Sequence, residues 1–207
     1  MKAVPKYILN ISMLFFIFSS YAIIAKNEGK PTPLVEIPIE VIANRVQLTV
    51  PIEHYTLTFA LDTGATQTVI FQSDRYNFSD LPSVGEATVA FPALDEFVSG
   101  THLAPLPLKL GTEIFVPERP LLIKQRPPVG ERLSFNFDGI LGQDFFESYV
   151  VEIDPKTLRL RLYPKGTNLR SKFKTQIPLY MSGEAPHIRF RSVLPWEKNP
   201  SMKELLL

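Results

Sequence analysis

A chain of 207 residues with 45% hydrophobic and 21% charged side chains and a net charge of +1 is long enough for one sizeable core and part of a second. Its near-neutral charge gives no reason to expect nucleic acid as a partner, and its lack of cysteine excludes disulfides, thiol nucleophiles, thiolate metal sites and a lipid-modified N-terminal cysteine. Nineteen prolines against ten glycines point to many strand ends and turns and few long helices.

The N-terminus opens with Lys2 and Lys6, then runs almost free of charge as "YILNISMLFFIFSSYAIIA", residues 7–25, before the polar "KNEGK". A basic start, an apolar stretch and small residues at Ala22 and Ala25 form the layout of a secretory signal peptide over residues 1–25. An uncleaved membrane anchor is the rival, since ~20 apolar residues suffice to cross a bilayer. Asn10, Ser12, Ser19 and Ser20 dilute the run and favour cleavage. The basic start and the extreme N-terminal position argue against a buried core helix. The expected location is exported, either periplasmic or secreted, with membrane contact only if this segment is retained.

From Lys30 the pattern becomes that of short strands. "VEIPIEVIANRVQLTVPI" alternates apolar and polar residues with prolines at strand edges. "YTLTFAL", residues 55–61, is β-branched and aromatic, and "TVIF", residues 68–71, resumes just beyond Asp62-Thr63-Gly64. "EATVAFPALDEFVSGTHL", residues 86–103, predicts a hairpin with its tip near Pro92–Glu96, and "LPLKLGTEIFVP", residues 106–117, predicts two short strands around Gly111. "KQRPPVGERLS", residues 124–134, reads as a polar loop. "QDFFESYV", residues 143–150, predicts a short helix, with Asp144 and Glu147 spaced as a capping box. "VVEI" and "LRLRLY" flank Asp154-Pro155-Lys156-Thr157, whose Asp-Pro start fits a type I turn. The sum is an all-β domain with one or two short helices.

Asp-Thr-Gly alone is weak evidence, because all three residues favour turns. Its context is more specific. A buried strand ends in "LDTGA", a hairpin follows, and "DGILGQDF" then leads into the helix. Gly139 and Gly142 there suit a backbone that passes close to another. This order of motifs resembles the retropepsin-like aspartic peptidases, of the bacterial exported type, over about Leu34 to Lys165. The resemblance implies an acid-protease half-barrel with a flap hairpin and one short helix, occupying residues 34–166. It implies Asp62 as the catalytic carboxylate, Thr63 and Gly64 as support of the active-site loop, and Ile140, Leu141 and Gly142 as a strand threaded beside that loop. It implies Phe91, Pro92 and Leu94 near the tip of a flap covering an extended peptide. Gly100 is the only glycine near this flap, which departs from the glycine-rich flaps frequent in the family and puts flap mobility in question.

The chemistry of the family needs two aspartates. Carboxylates about 3 Å apart share one proton; the ionised one activates water and the protonated one donates to the peptide carbonyl oxygen. A lone aspartate can serve as base but lacks the matched acid. No other carboxylate of the chain has a Thr-Gly context. Asp138 sits in a turn beside Gly139 and reads as structural, Asp95 and Glu96 read as solvated tip residues, and Asp154 begins a turn.

Two sources of the second aspartate remain open. One is a homodimer in which each chain supplies Asp62 across a two-fold axis. The other is a second lobe. Residues 36–61 and 176–207 both begin with an Ile-Pro strand, continue through an alternating strand ("RVQLTV" against "HIRFRSV") and pass a polar turn into a second apolar strand. "FAL" is followed by Asp-Thr-Gly in the first; "LLL" closes the second. Residues 167–207 are therefore expected to be a linker and a candidate truncated opening of a repeated lobe, or else an unrelated tail or dimer strand.

Other chemistries find little support. His54, His102 and His187 lack zinc-site spacing, and no phosphate loop or Gly-x-Ser-x-Gly elbow is present. No metal and no cofactor is expected. Lys156, Arg159, Arg161, Lys165, Arg170, Lys172 and Lys174 form a basic run without an acid, read as a solvated strand face and linker rather than a lipid or nucleic-acid patch. The expected function is an aspartic-type endopeptidase acting on peptide or protein substrates, inactive if it is a single truncated lobe. The alternatives are a noncatalytic, truncated or degenerate β module that binds peptides or partners, and a membrane-anchored structural domain.

Overall fold

A computed structural model describes residues 30–73, 75–76, 78–91, 96–124, 137–182, 185–192, 199 and 201–206. The expected signal segment, most of the polar loop at 124–134, and Pro92 and Leu94 lie outside the described residues. The protein is all-β with one short α-helix among the described residues. Its strands are β1 (Val35–Pro38), β2 (Glu40–Ile42), β3 (Arg45–Ile52), β4 (Tyr55–Leu61), β5 (Val69–Phe71), β6 (Ser83–Phe91), β7 (Glu96–Leu103), β8 (Leu108–Leu110), β9 (Glu113–Phe115) and β10 (Leu121–Ile123). Then follow β11 (Gly139–Leu141), helix α1 (Gln143–Ser148), β12 (Tyr149–Asp154), β13 (Arg159–Pro164), β14 (Tyr180–Ser182), β15 (Ala185–Ser192) and β16 (Ser201–Leu206). No described helix is long and apolar enough to cross a membrane.

An eight-stranded sheet in the order β2-β3-β4-β11-β5-β10-β7-β6 carries the candidate site. β3 and β4 alternate as half-buried strands should. Leu48, Val50 and Ile52 of β3, with Leu57 and Phe59 of β4, are nearly or wholly buried in the larger core. Ala60 faces a smaller core with Val69, Phe71, Leu121, Ile123 and Phe137. The expected hairpin is β6–β7, starting three residues earlier than read and turning between Phe91 and Glu96. Ala87, Val89 and Val98 along it pack on the smaller core. β8 and β9 pair around Gly111, whose φ of +64° is a left-handed turn conformation suited to glycine.

β11 is the element that cannot be placed from local pattern. It pairs parallel to β4, Gly139 opposite Phe59 and Leu141 opposite Leu61, and antiparallel to β5. The chain thus inserts a strand from far downstream between the two strands that flank Asp-Thr-Gly. Gly139 is required there, because a Cβ would lie 2.5 Å from Phe59 Cε1 and 2.5 Å from the Val69 carbonyl oxygen.

β1, β13 and β12 form a second sheet. Asp154 begins its turn as expected, its carboxylate accepting the N–H groups of Lys156 and Thr157. Part of the basic run is engaged rather than solvated. Arg161 pairs with Glu36 and Glu152, and Lys172 donates to Glu152 at 2.6 Å from the segment beyond β13. The acids that meet it lie on β1 and β12, outside the run itself. Glu152 is buried at 6% exposure and also accepts from the Tyr163 hydroxyl at 2.7 Å. Burial pushes its carboxyl up, but the hydrogen bonds of Lys172 and Tyr163 and the charges of Lys172 and Arg161 outweigh it, and the net direction is down. A carboxyl held low in the folded state contributes stability above its unfolded pKa of about 4.3, lost as pH falls through the folded value. Glu152→Gln is therefore expected to lower stability by about 2 kcal/mol at neutral pH and to flatten its acid dependence. Urea unfolding at neutral and acidic pH reads both.

The last three strands stand in their own sheet, β14-β15-β16, an antiparallel meander. Met181, Phe190, Met202 and Leu205 on it are exposed.

Candidate active site

Asp62 follows β4 directly, in a loop that returns to β5 by residue 69. Its side chain is exposed, its N–H donates to the Leu141 carbonyl at 3.1 Å, and its carbonyl accepts the Ala65 N–H at 3.3 Å. The Gly64 N–H donates to Asp62 Oδ1 at 2.8 Å. The carboxylate is therefore exposed on a backbone held on two sides, with Oδ1 hydrogen-bonded to the Gly64 N–H.

The loop is braced from α1. Gln143 donates twice, its N–H to the Ala65 carbonyl at 2.8 Å and its side-chain amide to the Thr63 carbonyl at 3.1 Å. Asp144 takes the far end. Its Oδ2 accepts the Thr68 N–H at 2.9 Å and its Oδ1 the Thr68 hydroxyl at 3.0 Å. Thr68 is wholly buried, so both donors depend on this carboxylate. Gly142 lets α1 come this close: a Cβ there would sit 2.5 Å from the Gln67 carbonyl oxygen and 2.6 Å from that of Ala65. Ile140, Leu141 and Gly142 run beside the loop.

The capping box does not form. The helix N-cap is Gly142, with no side-chain cap. Asp144 is drawn to Thr68, 76 positions away, and also accepts the Phe145 N–H at 2.9 Å. A buried tertiary partner outcompetes the local one. Asp144→Ala is expected to destabilise the fold by about 2 kcal/mol, with Thr68 left unsatisfied, and Asp144→Asn by about half of that, since one acceptor survives. Thermal melts of both variants check the order.

Among the described residues, no other carboxylate is seen to join Asp62. Asp138, buried, has Oδ2 on the Thr58 N–H at 2.9 Å and both oxygens within 3.1 Å of Arg75 Nη2, which ties the bend before β11 to β4. Glu96 closes the hairpin opposite Phe91. Phe91 ends β6 at the tip, and Pro92, Leu94 and Asp95 lie outside the described residues. Among the described residues no group of three or more potential ligands could hold a metal ion. Sequence reading missed Gln143, Asp144 and Thr68 as loop supports. The signal was partial: polar residues directly after Gly142 and a threonine opening a buried strand.

No family model matches this chain, and no curated protein does. Among solved structures, the chain is similar to the crystal structure of a retropepsin-like aspartic protease from Rickettsia conorii, at 14% identity and a TM-score of 0.39, over 62% of this chain and 88% of that one.

Proposed function

We propose that this chain supplies one half of an aspartic-type endopeptidase site, with Asp62 as its catalytic carboxylate. The observation that carries the reading is the outward Asp62 carboxylate on a loop pinned by Leu141, Gln143 and Asp144, because a reacting group needs such fixed placement. In the working site a second aspartate faces Asp62. The ionised member takes a proton from water as the water oxygen attacks the peptide carbonyl, and the protonated member donates to the carbonyl oxygen. Thr63 steadies the facing loop, and the β6–β7 hairpin covers an extended peptide that pairs main chain to main chain. The N-terminal segment directs the chain out of the cytoplasm, where it meets peptide or protein substrates.

A second reading, a noncatalytic β module that binds peptides or partner proteins, is favoured by one observation. Asp138 and Asp144 are both committed to the fold, which leaves Asp62 without a twin inside this lobe among the described residues. One experiment separates the readings. The chain is incubated with a peptide mixture from acidic to neutral pH at rising chain concentration, with products read by mass spectrometry. Cleavage strongest at acidic pH and rising faster than linearly with chain supports a homodimeric enzyme. Absence of cleavage at every concentration favours the module, or a site completed by another lobe.

A further inference from the structure

The C-terminal meander repeats the one that presents Asp62, residue for residue. A step of 140 positions carries Ile37-Pro38 to Ile177-Pro178, Glu40–Ile42 to Tyr180–Ser182 and Arg45–Ile52 to Ala185–Ser192, the bounds of β2 and β3 onto those of β14 and β15. The pairing follows. Glu40 faces Gln47, Val41 faces Val46 and Ile42 faces Arg45, as Tyr180 faces His187, Met181 faces Pro186 and Ser182 faces Ala185. The connection after β15 is longer than that after β3, and a step of 146 then carries Tyr55–Ala60 onto Ser201–Leu206. All six pairs persist, from Gln47–Ala60 matched by His187–Leu206 to Ile52–Tyr55 matched by Ser192–Ser201. One pair fixes the rest of an antiparallel hairpin, so the match amounts to two coinciding registers, with strand bounds and the Ile-Pro start also in step; a one-residue slip in any strand would turn its side chains to the opposite face.

The two copies differ in what covers them. In the first, Leu48, Val50 and Phe59 are 2%, 0% and 0% exposed, beneath Leu108, Leu110, Phe115, Phe145, Leu160 and Leu162. All six follow Asp62 in the chain. In the second, Ile188 is half-buried, and Phe190 and Leu205, at the places of Val50 and Phe59, are 41% and 51% exposed. Lys203 and Ser192 replace Leu57 and Ile52, so the apolar face of the second copy is narrower and centred on Ile188, Phe190 and Leu205.

We infer that residues 176–206 are the opening meander of a second lobe, whose apolar face is covered by the downstream part of that lobe: a β segment that begins with the second aspartate and continues as residues 62–166 do in the first. On this inference the two lobes offer loop scaffolds of one build, and the two carboxylates meet across lobes rather than across two identical chains. The repeat stands on register and exposure; only its catalytic role rests on the proposed endopeptidase reading.

The test extends the full chain after Leu207 with a second copy of residues 62–166, which by the register places an aspartate directly after the strand. Hydroxyl-radical labelling of Phe190 is expected to fall by roughly fivefold in the extended chain as its ring is covered. The extended chain is expected to cleave peptides as a monomer, at a rate linear in concentration, and to lose cleavage when either aspartate becomes asparagine. Labelling of Phe190 equal to that of the original chain, in an extended chain whose circular dichroism shows the added strands folded, overturns the repeat. Phe190→Asp in the original chain gives a second readout. A melting temperature moved by no more than about 2 °C is expected of an uncovered face, and a loss of several times that would show the face already packed and overturn the inference. Reduced labelling without cleavage leaves the repeat standing and removes the endopeptidase reading instead.

Discussion

Asp62→Asn is expected to lower peptide cleavage by about 10³-fold or more, the scale of a lost general base, while the fold stays intact. An amide cannot take a proton from the attacking water. The fold is preserved because asparagine keeps an Oδ1 that can accept the Gly64 N–H, and because the backbone bond from Asp62 to Leu141 does not involve the side chain. Kinetics beside a thermal melt separate the two effects. An active Asp62→Asn protein would remove Asp62 from the role of base, whereas an inactive one that has also lost its melting transition would show that the side chain holds the fold. If the active form is a homodimer, mixing variant and wild-type chains lowers activity beyond simple dilution, because each mixed dimer holds one carboxylate.

Gly142→Ala is expected to destabilise the protein by about 3 kcal/mol or more, or roughly 10 °C in melting temperature. The added methyl group would lie 2.5 and 2.6 Å from two carbonyl oxygens. Both belong to the Asp62 loop, and neither is the end of a flexible side chain that could swing aside. Relief therefore means moving the loop or withdrawing α1, which loosens the bonds from Gln143 to Thr63 and Ala65. Activity should fall further than stability alone explains at a temperature where the variant is still folded. A wild-type melting temperature would mean that the helix approaches the loop less closely than described.

The loop, the strands around it and the two strands of the hairpin were readable because each is marked by local chemistry. β-branched and aromatic alternation ends at Asp62, and polar and turn-forming residues separate the apolar runs. The insertion of Gly139–Leu141 was readable only through the resemblance, since three residues between glycines have no period. Asp144 misled for a related reason. Its spacing to Glu147 fits a cap, but its partner Thr68 lies in another part of the chain, and a pattern confined to one helix has no term for it. The partners of Asp138 were hidden in the same way: Thr58 and Arg75 are distant in sequence, and only its structural character could be read from the turn beside Gly139. The basic run seemed unopposed because its acids, Glu36 and Glu152, belong to strands that precede it. For the C-terminal repeat, the sequence offered similar strands, whereas the pairing register supplied a residue-by-residue correspondence.

The pairing of β11 with β4 also sets a clock. Thr58 and Asp138, which tie these strands together, are 80 positions apart. At ordinary translation rates the Asp-Thr-Gly loop leaves the ribosome roughly 4–16 s before the strand that fixes it. Contacts of such long sequence separation carry a large loop-closure cost and form slowly. Until Gly139–Leu141 slots between β4 and β5, the Asp62 loop lacks its bonds to Leu141, Gln143 and Asp144. The loop that carries Asp62 therefore stays unset through much of the chain's own synthesis.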